Sequence, residues 1–213
     1  AGCVLANRLS ENSKLRVLLI ENGPDDRKQR FVVDMPKGFG KLLGDPRMAY
    51  HYSTFFTKTE YWVRGKTLGG SSAVNGMVWM RGQAEDYDRL VELGNPGWGS
   101  DVMLPILAKL ENHEMGASET RGVGGPIDIT VHPEKSRVSE ALIAAGESIG
   151  LRRKADQNAR DLDGIGYIHS NINKRRQRVS AARAFLDPIR GKRSNLEIVT
   201  DTRVDRILFD GKR

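Results

Sequence analysis

Small and aliphatic residues recur at helical spacing over Ala1 to Ser10, through Ala1, Leu5, Ala6 and Leu9. The next apolar run is different: Val17-Leu18-Leu19-Ile20 is continuous, rich in β-formers and closed by Glu21. It predicts a buried parallel strand whose carboxyl end faces a ligand. From Pro24 to Thr59, Pro24, Pro36, Gly38, Gly40, Gly44 and Pro46 interrupt every period, so loops and short pieces are expected. Helices are predicted over Ala84 to Leu93 and over Asp101 to Glu111, the second capped by Ser100 or Asp101. Ser136 to Ile149 carries Val138, Leu142, Ile143, Ala145 and Ile149 on one helical face, and Ser180 to Leu186 is a helix that stops before Pro188. Strands are predicted over Pro126 to Val131, Gly166 to Ile172, Asn195 to Thr200 and Thr202 to Phe209, with a hairpin turn at Asp210-Gly211.

A helix opened by small residues and followed by such a strand is the second half of a βαβ nucleotide-binding unit. In that unit a G-x-G-x-x-G loop opens the helix, and an acid about 20 positions later takes the ribose hydroxyls. Gly2 and Glu21 stand at that separation. Gly2 can therefore close a fingerprint whose first strand is expected upstream of Ala1, and the hairpin at Asp210 expects a partner strand beyond Arg213. A flexible terminus at Gly2 and a solvated strand-end carboxylate at Glu21 account for the same two residues.

The stretch from Arg64 to Gly82 (RGKTLGGSSAVNGMVWMRG) sets paired glycines before paired serines and places Asn75 inside an apolar run. Glycines let a backbone come close to a ligand, and successive N–H groups at a helix start bind phosphate. Ser71 and Ser72 would cap that helix or add donors. A polar side chain among apolar ones needs partners, so Asn75 is expected to be buried and hydrogen-bonded. A glycine turn before a capped buried helix, with Asn75 bonded to backbone, explains the pattern as well as a ligand loop does.

Composition bounds the remaining classes. The 213 residues, 38% hydrophobic and 29% charged with 23 Gly and 8 Pro, are those of an ordinary globular chain rather than a disordered, collagen-like or coiled-coil one. No apolar run reaches the roughly 18 residues of a membrane span. Cys3 is the one cysteine, which excludes an intrachain disulfide and a thiolate zinc cage and points to a reducing compartment. The formal charge is +7, with a pI near 9.6, and Lys174-Arg175-Arg176-Gln177-Arg178 is a compact cationic run. No aromatic residue lies in that run to stack on bases, so it is read as a solvated loop, and no nucleic-acid partner is expected.

The segment Arg64 to Gly82 resembles the first signature of the glucose-methanol-choline (GMC) oxidoreductases, FAD-dependent enzymes that oxidise alcohols. Ala1 to Glu11, Val17 to Glu21, Gly94-Asn95-Pro96-Gly97-Trp98-Gly99, Ser180-Ala181-Ala182, Asn195 to Thr200 and Val204 to Leu208 extend the resemblance, which is nearest to the bacterial choline dehydrogenase branch. It implies an α/β fold: a Rossmann-like FAD-binding domain lacking its first strand, with part of an α+β substrate domain. Residues 1–130 would be the FAD-binding portion, 131–190 part of the substrate domain, and 191–213 the return to the FAD domain. Gly2 and Glu21 would serve the pyrophosphate and ribose, Gly69, Gly70 and Ser71 the pyrophosphate and ribityl chain. Asn75, Gly76, Met77 and Val78 would lie near the isoalloxazine ring, and the backbone of Val204 would hold the adenine. Some relatives attach flavin through a histidine just before the asparagine; Val74 stands there, which implies non-covalent FAD.

Hydride would pass from a small alcohol to the flavin, and electrons onward to oxygen or a quinone-like carrier. The catalytic histidine of such enzymes lies late in a longer chain. His51, His113, His132 and His169 match no such motif and are read as surface or locally bonded, so no catalytic residue and no metal ligand is assigned. The resemblance thus implies a fragment inactive alone, cytoplasmic or peripheral at a membrane. A basic nucleic-acid or anion-binding module and a non-catalytic interaction paralogue are the competing readings.

Overall fold

The computed structural model describes residues 1–54, 60–132, 134–161 and 163–211. In chain order its elements begin with α1 (Gly2–Leu9), β1 (Val17–Ile20), α2 (Arg30–Asp34), α3 (Phe39–Leu43), β2 (Ala49–Ser53), β3 (Tyr61–Gly65) and β4 (Val78–Trp79). They continue with α4 (Ala84–Glu92), α5 (Ser100–Lys109), β5 (Glu111–His113), β6 (Ile127–Val131), α6 (Arg137–Ser148), β7 (His169–Ser170) and β8 (Leu196–Val199). A 3₁₀ turn over Gly70–Ala73 and a π-helical turn over Ala182–Leu186 complete the part that matters for function. The chain divides into two compact units, Ala1–Gly76 with Gln177–Arg213, and Met77–Arg176. These divisions fall at 76/77 and 176/177, whereas the resemblance implies domain limits after 130 and 190.

In the first unit α1 buries Cys3, Ala6 and Asn7, and the Asn7 amide donates to the Phe185 carbonyl at 2.7 Å. The turn from α1 to β1 is held by one side chain: Asn195 Nδ2 donates to the carbonyls of Ser10, Asn12 and Leu15 at 3.1, 3.1 and 2.9 Å. β1 then pairs in parallel with β8, Val17 opposite Leu196 and Ile20 opposite Val199. The strand is not buried on both faces as its composition suggests. Leu18 is 55% exposed, because alternate side chains of this two-stranded sheet lack a covering element among the described residues.

Pro24 to Thr59 holds short helices, as its glycines and prolines predict, and also β2, which pairs antiparallel with β3; Phe55 to Thr59 lie outside the described residues. Val33, Leu42, Met48, Ala73 and Val74 form a buried cluster, each of the larger side chains contributing roughly 1.5–3 kcal/mol when fully withdrawn from water. Beside it Arg30 bonds Asp34 and Asp187 at 3.0 and 2.6 Å, Arg183 bonds Asp34 at 2.6 Å, and Arg190 bonds Asp25 at 2.9 Å. Asp26, 1% exposed, has its carboxyl pushed up to about 6 by burial, against the pull of Arg190 and Arg30. The expected strand over Thr202 to Phe209 does not form. A strand needs a neighbour for its N–H and C=O groups, none pairs with this stretch among the described residues, and Ile207, Leu208 and Phe209 are 74–76% exposed.

The second unit is built on a sheet in the order β4-β7-β6-β5, with β5 and β6 parallel and the other pairs antiparallel. Only His169–Ser170 of the predicted strand over Gly166 to Ile172 pairs, against Val78–Trp79 on one side and Thr130–Val131 on the other. α5 ends at Lys109, and Glu111 opens β5 rather than closing a helix. Gly99, without a side-chain bond, occupies the cap position expected for Ser100 or Asp101; the Ser100 N–H instead donates to Asp88 Oδ1 at 2.8 Å. α6 is capped as its sequence predicts, Ser136 Oγ accepting from the Ser139 N–H at 3.0 Å.

Candidate functional site

The site of the first unit grows out of the carboxyl end of β1. The Glu21 N–H donates to the Val199 carbonyl at 2.9 Å, which continues the parallel pairing. Its side chain then folds back, Oε1 accepting from the Gly23 N–H at 2.8 Å. A Cβ on Gly23 would lie 1.9 Å from the Lys66 carbonyl oxygen, so only glycine lets this turn lie against residues 66 and 67. Thr67 Oγ1 donates to the Pro24 carbonyl at 2.7 Å and fixes that approach. Partial burial pushes the Glu21 carboxyl up, opposed by the Gly23 and Asn22 N–H groups and by the Lys66 ammonium.

From there the chain turns through Gly69 at φ +92° and Gly70 at φ +56°, two consecutive left-handed positions that suit residues without Cβ. The following helix is a single 3₁₀ turn, and the serines do not cap it. Ser71 Oγ accepts from the Gly65 N–H at 3.1 Å, while Ser72 Oγ donates to the Gly69 carbonyl at 2.6 Å and accepts from the Ala181 N–H at 2.8 Å. They stitch the turn shut rather than offer donors at a helix start.

Cys3 joins the two halves of this region. The Gly69 N–H faces its sulfur, and Glu21 acts on it electrostatically. Burial dominates and pushes the thiol up, so Cys3 is packed and unreactive. The first turn of α1 is the third side of the site. The helix ladder begins with the Val4 and Leu5 N–H groups donating to Ala1 O, so the Gly2 and Cys3 N–H groups precede it. A Cβ on Gly2 would meet Leu19 Cδ1 at 3.2 Å, which sets the helix start close over β1.

Gly2 and the Gly69 N–H thus meet at Cys3, Glu21 acts on it electrostatically, and Gly70 and Ser71 follow Gly69 in the turn. Asn75 and Gly76 lie at the far end of the same turn, and both are exposed. Asn75 is not the buried polar residue that its apolar neighbours suggest: Ala73 and Val74 turn inward and carry it to the surface, where Oδ1 accepts from Arg178. Val204 is 56% exposed, two residues past Thr202, whose N–H donates to the Glu21 carbonyl at 3.1 Å. In the second unit Met77 is buried with φ +62°, its carbonyl accepting from the Asn171 N–H at 3.0 Å, and Val78 is 51% exposed. A cavity of about 240 Å³ in the first unit is lined by Asp25, Arg27, Arg190, Gly191, Leu196, Ile198 and Thr200, and by none of the residues chosen from sequence.

Three groups were hidden from sequence. The cationic run is exposed at Lys174, Arg175 and Arg176, but Arg178 is fully buried. Glu111, also fully buried, accepts from Trp79 Nε1 at 2.7 Å, from Arg81 Nη2, and from the Gly122 N–H at 3.1 Å. His51 and His132 are exposed and locally bonded as expected, whereas His113 and His169 are buried against each other. The Met115 N–H donates to His113 Nδ1 at 3.2 Å, so Nε2 carries the proton and donates to His169 Nδ1 at 3.0 Å; His169 Nε2 then donates to the Ala155 carbonyl at 3.2 Å. With every ring nitrogen engaged in the interior, neither imidazole is placed to take a substrate proton. Among the described residues no group of His, Cys, Asp and Glu could hold a metal ion.

Residues 48–213 match the family model described as GMC oxidoreductase. The chain belongs to the GMC oxidoreductase family. It is 37% identical to human mitochondrial choline dehydrogenase and 38% identical to the oxygen-dependent choline dehydrogenase of Burkholderia ambifaria, in each case over the whole chain. It spans 37% and 39% of those two proteins. Among solved structures, pyridoxine 4-oxidase from Mesorbium loti superposes over all of this GMC chain and 42% of its own with a TM-score of 0.88 at 35% identity. An FAD-dependent oxidoreductase from Chaetomium thermophilum does so over 99% of this chain and 38% of its own, with a TM-score of 0.86 at 29% identity. The α/β class expected from the sequence is that of these neighbours. No helix among the described residues is long and apolar enough to cross a membrane.

Proposed function

We propose that this GMC chain holds FAD non-covalently in its first unit and serves an oxidoreductase acting on the CH–OH group of a small alcohol, choline or a related primary alcohol. The observation that carries the reading is the convergence on Cys3 of the α1 start, the Glu21 carboxylate and the Gly69-Gly70 turn. The residues fit a dinucleotide chemically. A helix start and a glycine turn that no Cβ fills suit a pyrophosphate, and a strand-end carboxylate suits ribose hydroxyls. Gly2 and Gly69 to Ser71 would hold the phosphate and ribityl portions, Glu21 the ribose, and Val204 the adenine side. Asn75 and Gly76 would face the ring system.

When bound, FAD supplies the hydride acceptor for alcohol oxidation. The chain's own residues bind and orient it; none is assigned as the catalytic base. In this reading the cofactor role falls to Ala1–Gly76 with Gln177–Arg213, and Met77–Arg176 contributes to the substrate region. Choline is favoured by the names of the two curated relatives, and oxygen or a quinone-like carrier takes the electrons. A soluble cytoplasmic setting without a nucleic-acid partner completes the proposal. The test is a titration of the protein with FAD, followed by dye reduction with choline and with aliphatic and aromatic primary alcohols, under air and under argon. Saturable FAD binding supports the cofactor reading, alcohol-dependent reduction requires a catalytic base that none of this chain's residues is assigned to supply, and a folded protein that ignores FAD refutes the proposal.

A further inference from the structure

Arg178 is 0% exposed, yet no carboxylate among the described residues bonds it. Its Nε donates to the Val33 carbonyl at 2.9 Å. Nη1 donates to the Ser72 carbonyl at 3.2 Å, the Asn75 carbonyl at 2.7 Å and Asn75 Oδ1 at 2.9 Å. Nη2 is buried without a hydrogen-bond partner among the described residues. Asp34, the carboxylate whose field reaches it, is already bonded to Arg30 and Arg183. Burial dominates and lowers the Arg178 pKa to about 10. Burying a guanidinium this way is unfavourable unless its donors are used. Two of its three nitrogens are used, Nε on the Val33 carbonyl and Nη1 on the turn that carries Ser72 and Asn75.

The consequence follows from peptide geometry. A trans peptide holds its C=O and the next N–H on opposite sides. With the Ser72 and Asn75 carbonyls drawn onto the guanidinium, the Ala73 and Gly76 N–H groups point away from it. Gly76 is exposed, and a Cβ there would meet nothing within 4 Å. Ser72 is held a second time, through its hydroxyl, by the Gly69 carbonyl and the Ala181 N–H. The segment after Arg178 therefore grips the turn at both ends.

We infer that Arg178 is a positioning residue: Nη1 on the Ser72 and Asn75 carbonyls, braced by Nε on the Val33 carbonyl, fixes the turn from Gly69 to Gly76 and presents the Gly76 N–H to an acceptor on the bound flavin. This rests on the FAD reading above. Lysine keeps the charge and has three donors, but all on one nitrogen, so it cannot hold the Val33 carbonyl and the turn from two separate nitrogens as Nε and Nη1 do.

Arg178→Lys and Arg178→Ala separate this role from simple packing. Hydrogen–deuterium exchange on peptides spanning residues 69–76 of the cofactor-free protein is compared with FAD affinity and the visible absorption bands of bound flavin. The expected result for Arg178→Lys is at least tenfold faster exchange at 69–76, at least tenfold weaker FAD binding and a displaced flavin band. Millimolar guanidinium should restore all three in Arg178→Ala. Unchanged exchange, affinity and spectrum beside a lowered unfolding temperature would overturn the assignment. If Arg178→Ala does not fold, Arg178→Lys decides. Should the wild-type protein bind no FAD, the cofactor reading fails, and exchange at 69–76 still decides whether the clamp exists.

Discussion

Removing the Glu111 charge is the sharpest test of how the second unit is held together. Glu111 is fully buried, its partner Arg81 has a side chain 4% exposed, and the two are in direct contact. Every lone pair that matters is used: one oxygen takes the Trp79 indole and Arg81, the other takes the Gly122 N–H. Arg81 also reaches the Thr120 carbonyl, and its own N–H donates to Asn158 Oδ1 at 2.9 Å. Glu111→Gln puts an amide NH₂ in one of the two oxygen positions. Whichever way it turns, that group meets Gly122 N–H, or Trp79 and Arg81, donor against donor. It also leaves Arg81 buried without a counter-charge.

Breaking a buried pair from one side costs about 3–5 kcal/mol. A unit of roughly 100 residues has only about 5–15 kcal/mol in total. Glu111→Gln should therefore remove about a fifth or more of the unit's stability, and Arg81→Met should do the same. The double variant Glu111→Met with Arg81→Met should lose markedly less than the sum, because no lone charge remains. Urea unfolding followed by tryptophan fluorescence reads this directly, since the Trp79 indole bonds Glu111. Single variants costing less than about 1 kcal/mol, or fully additive losses, would refute a coupled buried pair.

Three further outcomes are expected. Gly69→Ala forces a side chain onto φ +92° and brings its Cβ to 3.3 Å from Ala182, so a loss of about 1–2 kcal/mol in unfolding free energy and weaker FAD binding are expected together; a loss of neither removes the need for glycine at this turn. His113 is held below the ordinary imidazole range first by burial and then by His169, with Arg121 acting the same way and Glu111 and Asp156 opposing. The folded unit therefore binds fewer protons than the unfolded chain, and stability present above about pH 6.5 falls on acidification by up to roughly 1.4 kcal/mol per pH unit. His113→Gln should flatten that slope in amide exchange of β7, and an unchanged slope would count against it. Asp26, raised to about 6, acts in the opposite sense. Asp26→Asn should stabilise the first unit near pH 7 relative to pH 4, and thermal melts at the two values check this.

Local periodicity carried most of the secondary structure. α1, β1, α4, α6, β6 and β8 arise where apolar spacing and capping residues put them, because each is decided within its own stretch. What needed a distant partner did not show. β2 and β3 become strands only through each other, and Thr202 to Phe209 has strand composition but no paired neighbour. The glycine turn was readable because only residues without Cβ suit φ +92° and +56°. Its serines were misread, since whether Ser72 caps a helix or bonds Gly69 depends on Ala181, more than 100 residues later in the chain. Arg178 looked like one more cation in a solvated run, and the His113–His169 pair is 56 residues apart in sequence. Buried polar partners have no local signature, and these are the groups that sequence could not place.

The most direct test of the central claim is equilibrium binding of FAD to the wild-type protein and to Glu21→Gln, with tryptophan fluorescence confirming that both are folded. The expected result is one saturable FAD site per chain and binding weakened about tenfold or more in the variant, the loss of a charged hydrogen-bond acceptor worth roughly 1.5–3 kcal/mol. A folded wild-type protein without saturable FAD binding, or equal affinity in the two proteins, would contradict it.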